Sequence, residues 1–279
     1  MGDFDIERFL ALSGAVELDD LDWQGAAEAG ITDAEAKILR YMADTETHTI
    51  LYLRDLLAGH TCQDAEVTAF LSVWVYEELW HGRAIDRLLA ATGHPPAQDT
   101  FASVARSVSW REPLEAMGSH LIASLTPKFV AVHMAWGAIN ELTAAAAYKL
   151  LQDRSHNPTL KALLTRIRKQ ERKHYAFYWQ QAHTRLHNDK WAQRLCSAVL
   201  RAAWTPVGSG VGQGDSMGFI AQHLFSDATG QAALEDIDAG IRRLPGLEWF
   251  DLCTVRVNKI IAAGAQAPHR PGLTGATLA

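Results

Sequence analysis

Two tetrads, Glu78-Leu79-Trp80-His81 and Glu171-Arg172-Lys173-His174, each set a carboxylate and an imidazole three residues apart. On a helix, positions i and i+3 share a face, so each tetrad aims both groups in one direction. Two further glutamates fall in the gaps of apolar stripes with helical spacing. Glu46 lies among Leu39, Met42, Ile50, Leu53 and Leu57, and Glu141 among Val130, Met134, Ala138, Ala145 and Tyr148. The tetrads occupy similar stripes: Phe70, Trp74, Ile85 and Leu88 flank the first, and Leu160, Leu164, Ile167 and Tyr178 the second. A carboxylate in an apolar core costs on the order of several kcal/mol unless its charge is compensated. No matching Lys or Arg lies on these faces, so four such acids call for cations. Four Glu and two His form a donor set suited to Fe, Mn or Zn.

The elements that must position these groups are delimited by helix start and stop signals. Thr32-Asp33-Ala34-Glu35 reads as a capping box opening a first helix over 32–58, closed before Gly59. A second runs over 64–92 and stops at Gly93-His94-Pro95-Pro96. A third, over 126–155, is expected to carry Pro127 at its first position; Asn157-Pro158 then opens a fourth over 157–187. Short turns make each pair antiparallel, whereas residues 93–125 form a long crossover, expected to hold its own helix around Pro113–Ser124. Two hairpins joined by one long crossover is the ferritin-like variant of the four-helix bundle, an all-α fold whose dimetal members use two Glu-x-x-His motifs plus one Glu from each remaining helix. Residues 190–264 read as additional C-terminal helices within one domain, 1–264, and the Pro- and Gly-bearing tail 265–279 as disordered.

Composition bounds the function classes. The formal net charge of -6 argues against nucleic-acid binding. Cys62, Cys196 and Cys253 form neither a disulfide framework nor a CxxC motif. Without a membrane-spanning run or signal-peptide pattern, a soluble cytoplasmic protein is expected.

One Glu-x-x-His is commonplace on a helix, and His120 or His133 reads equally well as a satisfied core histidine. The joint pattern of two motifs, two further acids and the hairpin order is what selects the dimetal reading. Arg166, Arg168, Lys169, Arg172 and Lys173 offer a surface for an acidic carrier or electron donor, or simply a solvated face. Trp23, Trp74, Trp80, Trp110 and Trp136 read first as packing. The small side chains of Ala144–Ala147 leave room beside Glu141 for dioxygen or an acyl chain, or for tight helix packing.

The segment VWVYEELWHG (73–82) resembles the W-x-x-E-E-x-x-H-G signature of the soluble acyl-carrier-protein desaturases, and QERKHYAFY (170–178) is similar to that family's second Glu-x-x-His segment. The resemblance covers about residues 32–187. It implies a metal set of Glu46, Glu78, His81, Glu141, Glu171 and His174 holding two iron ions, with Glu78 and Glu171 bridging and Glu46 and Glu141 terminal. It further implies a homodimeric enzyme that takes electrons from a ferredoxin, activates O2 and removes hydrogens from an acyl chain on acyl carrier protein. Two positions depart from the family: Gln170 replaces an acidic residue and Ala144 a threonine. These leave open a hydroxylase or N-oxygenase of specialised metabolism with the same ligands. A ferroxidase or iron-storage protein, or a manganese-catalase-like enzyme, are the remaining alternatives.

Overall fold

The computed structural model describes residues 4–57, 59–96, 126–206 and 216–266. Among them every regular element is helical. In chain order these are α1 (Ile6–Leu12), α2 (Trp23–Ala29), α3 (Asp33–Leu57), α4 (Ala65–Ala91), α5 (Phe129–Arg154), α6 (Pro158–Leu186), α7 (Lys190–Ala203), α8 (Ser216–Phe225), α9 (Ala228–Ile241) and α10 (Leu252–Gln266). A 3₁₀ turn, His60–Gln63, joins α3 to α4.

The four longest helices form the bundle, paired as α3 with α4 and α5 with α6. Their starts follow local chemistry. Thr32 and Glu35 bond reciprocally at the head of α3, Asp64 caps α4 through the Val67 amide, and Asn157 caps α6 through the Leu160 amide with Pro158 first in the helix. Each such cap contributes about 1 kcal/mol. At α5 the expectation fails by two residues, because Thr126–Lys128 form a turn and the helix begins at Phe129. The amides of Phe129, Val130 and Ala131 bond three residues back, to Thr126, Pro127 and Lys128, so Pro127 sits in a tight lead-in turn.

The stripes around both tetrads are fully buried. That of α3 is buried only in part: Ile50 and Leu57 are exposed, and Leu56 is buried instead. Past Glu46 the stripe continues through Leu53, which is half-buried, to Leu56 rather than Leu57. Where α4 crosses α3, a Cβ on Gly82 would stand 2.9 Å from Thr47 Oγ1 and 3.2 Å from Ala43 O. Glycine there lets the two backbones close on one another at the level of His81.

The C-terminal region forms α7 to α10 on the outside of α5. Helical spacing in this region marks 191–204, 217–225 and 248–263; α9 is an addition to these, and Glu248–Phe250 precede α10 in turns. Asp238 of α9 caps α10 by accepting the Cys253 and Thr254 amides. Of the tail, Ala265 and Gln266 end α10, and 267–279 lie outside the described residues, as do the crossover helix expected near 113–124, Trp110 and His120. No helix among the described residues is long and apolar enough to cross a membrane.

Candidate metal centre

The six residues singled out by type and spacing converge at the middle of the bundle, one from α3, two from α4, one from α5 and two from α6. All are at least 95% buried. Their donor atoms form two groups that overlap: Glu46, Glu78, His81 and Glu171, and Glu78, Glu141, Glu171 and His174. Within each group the atoms lie within 4.8 Å of one another, and Glu78 and Glu171 belong to both.

His81 Nδ1 stands 3.2 Å from Glu171 Oε1, 3.7 Å from Glu78 Oε2 and 3.8 Å from Glu46 Oε2. His174 Nδ1 stands 3.0 Å from Glu78 Oε1 and 3.6 Å from both Glu141 and Glu171 Oε2. Donors about 2.1 Å from a shared ion are themselves separated by roughly 3 to 3.5 Å. Both histidine Nδ1 atoms, both Glu171 oxygens and Glu78 Oε1 are buried without an aligned hydrogen-bond partner among the described residues. Buried polar atoms are normally satisfied, so donors gathered at this spacing yet not bonded to each other fit a pair of cations.

Electrostatics agree. Burial, reinforced by the charge of Glu78 on one side and Glu171 on the other, pushes Glu46 and Glu141 well above the usual carboxylate range. Burial alone would depress both imidazoles. Contacts with Glu171, Glu46 and Glu78 for His81, and with Glu141, Glu171, Glu77 and Glu78 for His174, hold them well above their ordinary value. Both shifts make protons harder to remove from these groups, and a cation held among them would take the place of such protons.

A surrounding shell orients the ligands. His174 Nε2 is 2.7 Å from Glu77 Oε2, and His81 Nε2 is 2.9 Å from Gln170 Oε1. Gln170 Nε2 donates to Glu77 Oε1 and to the Gly14 carbonyl, both at 2.8 Å, and the Gly14 amide donates to Glu77 at 3.0 Å. The N-terminal segment therefore seals the histidine end, with Phe9 lying edge-on to His174. Trp74 Nε1 donates to Glu141 at 2.9 Å and the Tyr148 hydroxyl donates to Glu46.

Comparison with family models, with curated proteins and with solved structures finds no match for this chain. The site must be read from its own geometry.

Opposite the histidines, a cavity of about 330 Å³ touches Glu46, Glu78, Glu141 and Glu171 but neither imidazole. Its other walls include Tyr52, Trp74, Trp136 and Ala144, with Thr45, Thr49, Asn140 and Thr205 as polar points. A second, almost wholly apolar lobe of about 80 Å³ extends toward α8 and shares Thr45, Glu46, Ala144 and Pro206 with the first. Tyr178 lies in the wall with its hydroxyl buried and without a hydrogen-bond partner among the described residues. Gly137 makes room for that ring, since a Cβ there would stand 2.4 Å from it.

Sequence reasoning noted Glu77 only as a letter of a motif and Gln170 only as a departure; their partnership through Gly14 had no sequence signal. Tyr178 was visible as a stripe residue four positions beyond His174, but not its unpaired hydroxyl. His133 is the satisfied histidine it resembled, with Nδ1 2.7 Å from Thr61 Oγ1. Of the basic run, Arg166 is engaged bidentately by Asp20 and Arg168 by Gln152. Trp23 and Trp80 pack under Arg87 and Arg83 on the surface of α4. All three cysteines are free, as expected.

Proposed function

We propose that this is a ferritin-like dimetal oxidoreductase in which Glu46, Glu78, His81, Glu141, Glu171 and His174 hold two iron ions. In this reading O2 is used to oxidise an organic substrate bound in the adjoining cavity. The observation that carries it is the pair of overlapping donor groups sharing Glu78 and Glu171. Iron held there would supply dioxygen activation and the oxidising power to break a C–H or N–H bond. External electrons from a ferredoxin-type donor are part of the proposal.

The chain's own residues would do the rest. The cavity presents substrate to the carboxylate side, while Glu77, Gln170 and Gly14 keep water from the histidine side. The aromatic walls, Trp74, Trp136 and Tyr52, would hold an apolar or planar body. The Tyr178 hydroxyl, without a hydrogen-bond partner among the described residues, would bond a polar group of the substrate and fix its orientation. At about 330 Å³ the main lobe is roughly twice the ~150 Å³ engineered cavity that accepts benzene.

Two observations favour hydroxylation or N-oxygenation of a compact metabolite over desaturation of a long carrier-bound acyl chain. Ala144 brings no hydroxyl to the wall beside Glu141, and the neighbouring Thr143 gives its own to the Ile139 carbonyl. Two of the five basic residues offered for carrier docking are committed within the chain. A cavity against the ligands also favours an enzyme over an iron store.

Ferrous iron added without oxygen should load to about two ions per chain, and admitting air should consume O2 without a growing ferric core. Uptake far beyond two would return the protein to the storage class. With stearoyl- or palmitoyl-carrier protein, ferredoxin, its reductase and reduced nicotinamide, little product is expected; efficient loss of two hydrogens from either would make it an ordinary desaturase.

A further inference from the structure

The two cation positions share their bridging acids and are matched at their terminal acids, each of which accepts one buried donor: Tyr148 for Glu46 and Trp74 for Glu141. They differ behind the histidines. His174 Nε2 is backed directly by the Glu77 carboxylate. His81 Nε2 is backed by the Gln170 side chain, whose orientation the network fixes. Its nitrogen must be the end facing the Gly14 carbonyl and Glu77 Oε1, because both can only accept. The oxygen therefore faces His81, which must donate from Nε2 and offer Nδ1 to the site. A single carboxylate thus serves both histidines, one by contact and the other through a neutral amide.

We propose that the two positions are unequal by construction: the one built on His174 and Glu141 binds its cation first and more tightly, and the one built on His81 and Glu46 second. This rests on the dimetal reading. A carboxylate bonded to the far N–H of a ligating imidazole makes the near nitrogen a stronger donor, and such partners change metal affinity by about 10–100-fold. An amide supplies a dipole but no charge. At limiting metal the chain is therefore singly loaded, with the ion on the Glu77 side. Supplied with two kinds of divalent ion in turn, it would hold a mixed pair, the first ion keeping the His174 position.

The test uses the metal-free full-length chain titrated with cobalt(II) under nitrogen, followed by visible absorption and calorimetry, neither of which depends on turnover. Wild type is expected to bind two cobalt ions in steps whose affinities differ by about 10–100-fold. His81→Ala should keep the tight step and His174→Ala should lose it. Gln170→Glu should strengthen the weak step and draw the two together, and Glu77→Gln should weaken the tight one. Two equal steps in wild type, or a tight step that survives His174→Ala and vanishes in His81→Ala, overturn the inequality while leaving the dimetal reading intact. Wild type that binds no cobalt overturns both. The wild-type titration and the two histidine variants decide the matter even if Gln170→Glu, which sets two carboxylates side by side, does not fold.

Discussion

The two ends of the candidate centre are built on opposite principles. Behind the histidines Glu77, Gln170 and Gly14 exchange hydrogen bonds in a closed circuit, with Phe9 and Phe70 edge-on to the His174 ring. In front of the carboxylates lies a cavity, with a wall of small and aromatic side chains and a tyrosine hydroxyl that has no hydrogen-bond partner among the described residues. A closed end fixes donor positions and an open end can admit a reactant, so on the proposed reading the difference would separate holding metal from using it. Variants at the two ends should divide along the same line.

The largest effect should come from the shared ligands. Glu171→Ala removes a donor common to both groups, and iron content should fall from about two per chain to well under one. Full iron content in that variant, by metal analysis, would show that the α6 tetrad is not part of the centre. At the open end, Ala144→Trp should fill the junction of the two lobes. Iron should stay near two while turnover of any identified substrate falls by about 100-fold, the scale on which misplacing a reactant matters. Loss of metal along with turnover would erase the separation between the ends.

Acidity should act on binding next. Glu46, Glu141, His81 and His174 are all held above their ordinary values in the metal-free protein, the acids first by burial and the imidazoles by their carboxylate neighbours. Groups raised in this way hold protons more tightly than usual and an incoming cation would displace them, so affinity should rise with pH, by about tenfold per unit for each proton released. A cobalt affinity that stays flat as pH rises would mean the ligands are already deprotonated. The smallest effect is expected at Trp74→Phe, which keeps an aromatic ring but removes the indole N–H that Glu141 accepts and part of the indole's packing. Unfolding of the metal-free variant in urea should show a loss of about 1–2 kcal/mol, less once metal is bound. No change would mean that another group takes over the oxygen.

The four long helices and the gathering of four Glu and two His between them are readable because each rests on information local in sequence. Asp64 and Asn157 announce their helices by single side-chain bonds, and a tetrad's geometry is set by the helix it sits in. What stayed hidden has other origins. On α3 the apolar spacing runs on through Ile50 and Leu57, yet both are exposed and Leu56 is buried, because spacing marks a face but not how far along it a neighbour packs. The seven-residue helices α1 and α2 are too short to show periodicity, although Asp5 and Asp22 cap them. In α9, Gly230 and Gly240 dilute helix propensity, and packing against α5 and α10 prevails. The circuit behind the histidines joins Gly14 to residues 63 and 156 positions away, a relation that no window along the chain contains.

Asn157 holds a further lesson about order of assembly. Besides capping α6, its amide nitrogen donates to the Ala26 and Gly30 carbonyls, clasping the end of α2 to the turn between α5 and α6. Thr159 adds a bond to the Asp22 carbonyl, and the Phe4 amide one to Gln180. All of these span well over a hundred residues, whereas each hairpin closes through its neighbour in the chain. Loop entropy delays distant contacts, so the hairpins should gather first and the N-terminal arm should settle last. On the synthesising ribosome residues that emerge ahead of the bundle would then find their place after it. Until they do, the back of the histidines stays uncovered, leaving an interval in which an ion can enter from the side that the finished protein keeps shut. Pulse-labelled hydrogen exchange during refolding should find the amides of α2 protected later than those of α5 and α6. The reverse order would place the clasp at the start of folding instead of its end.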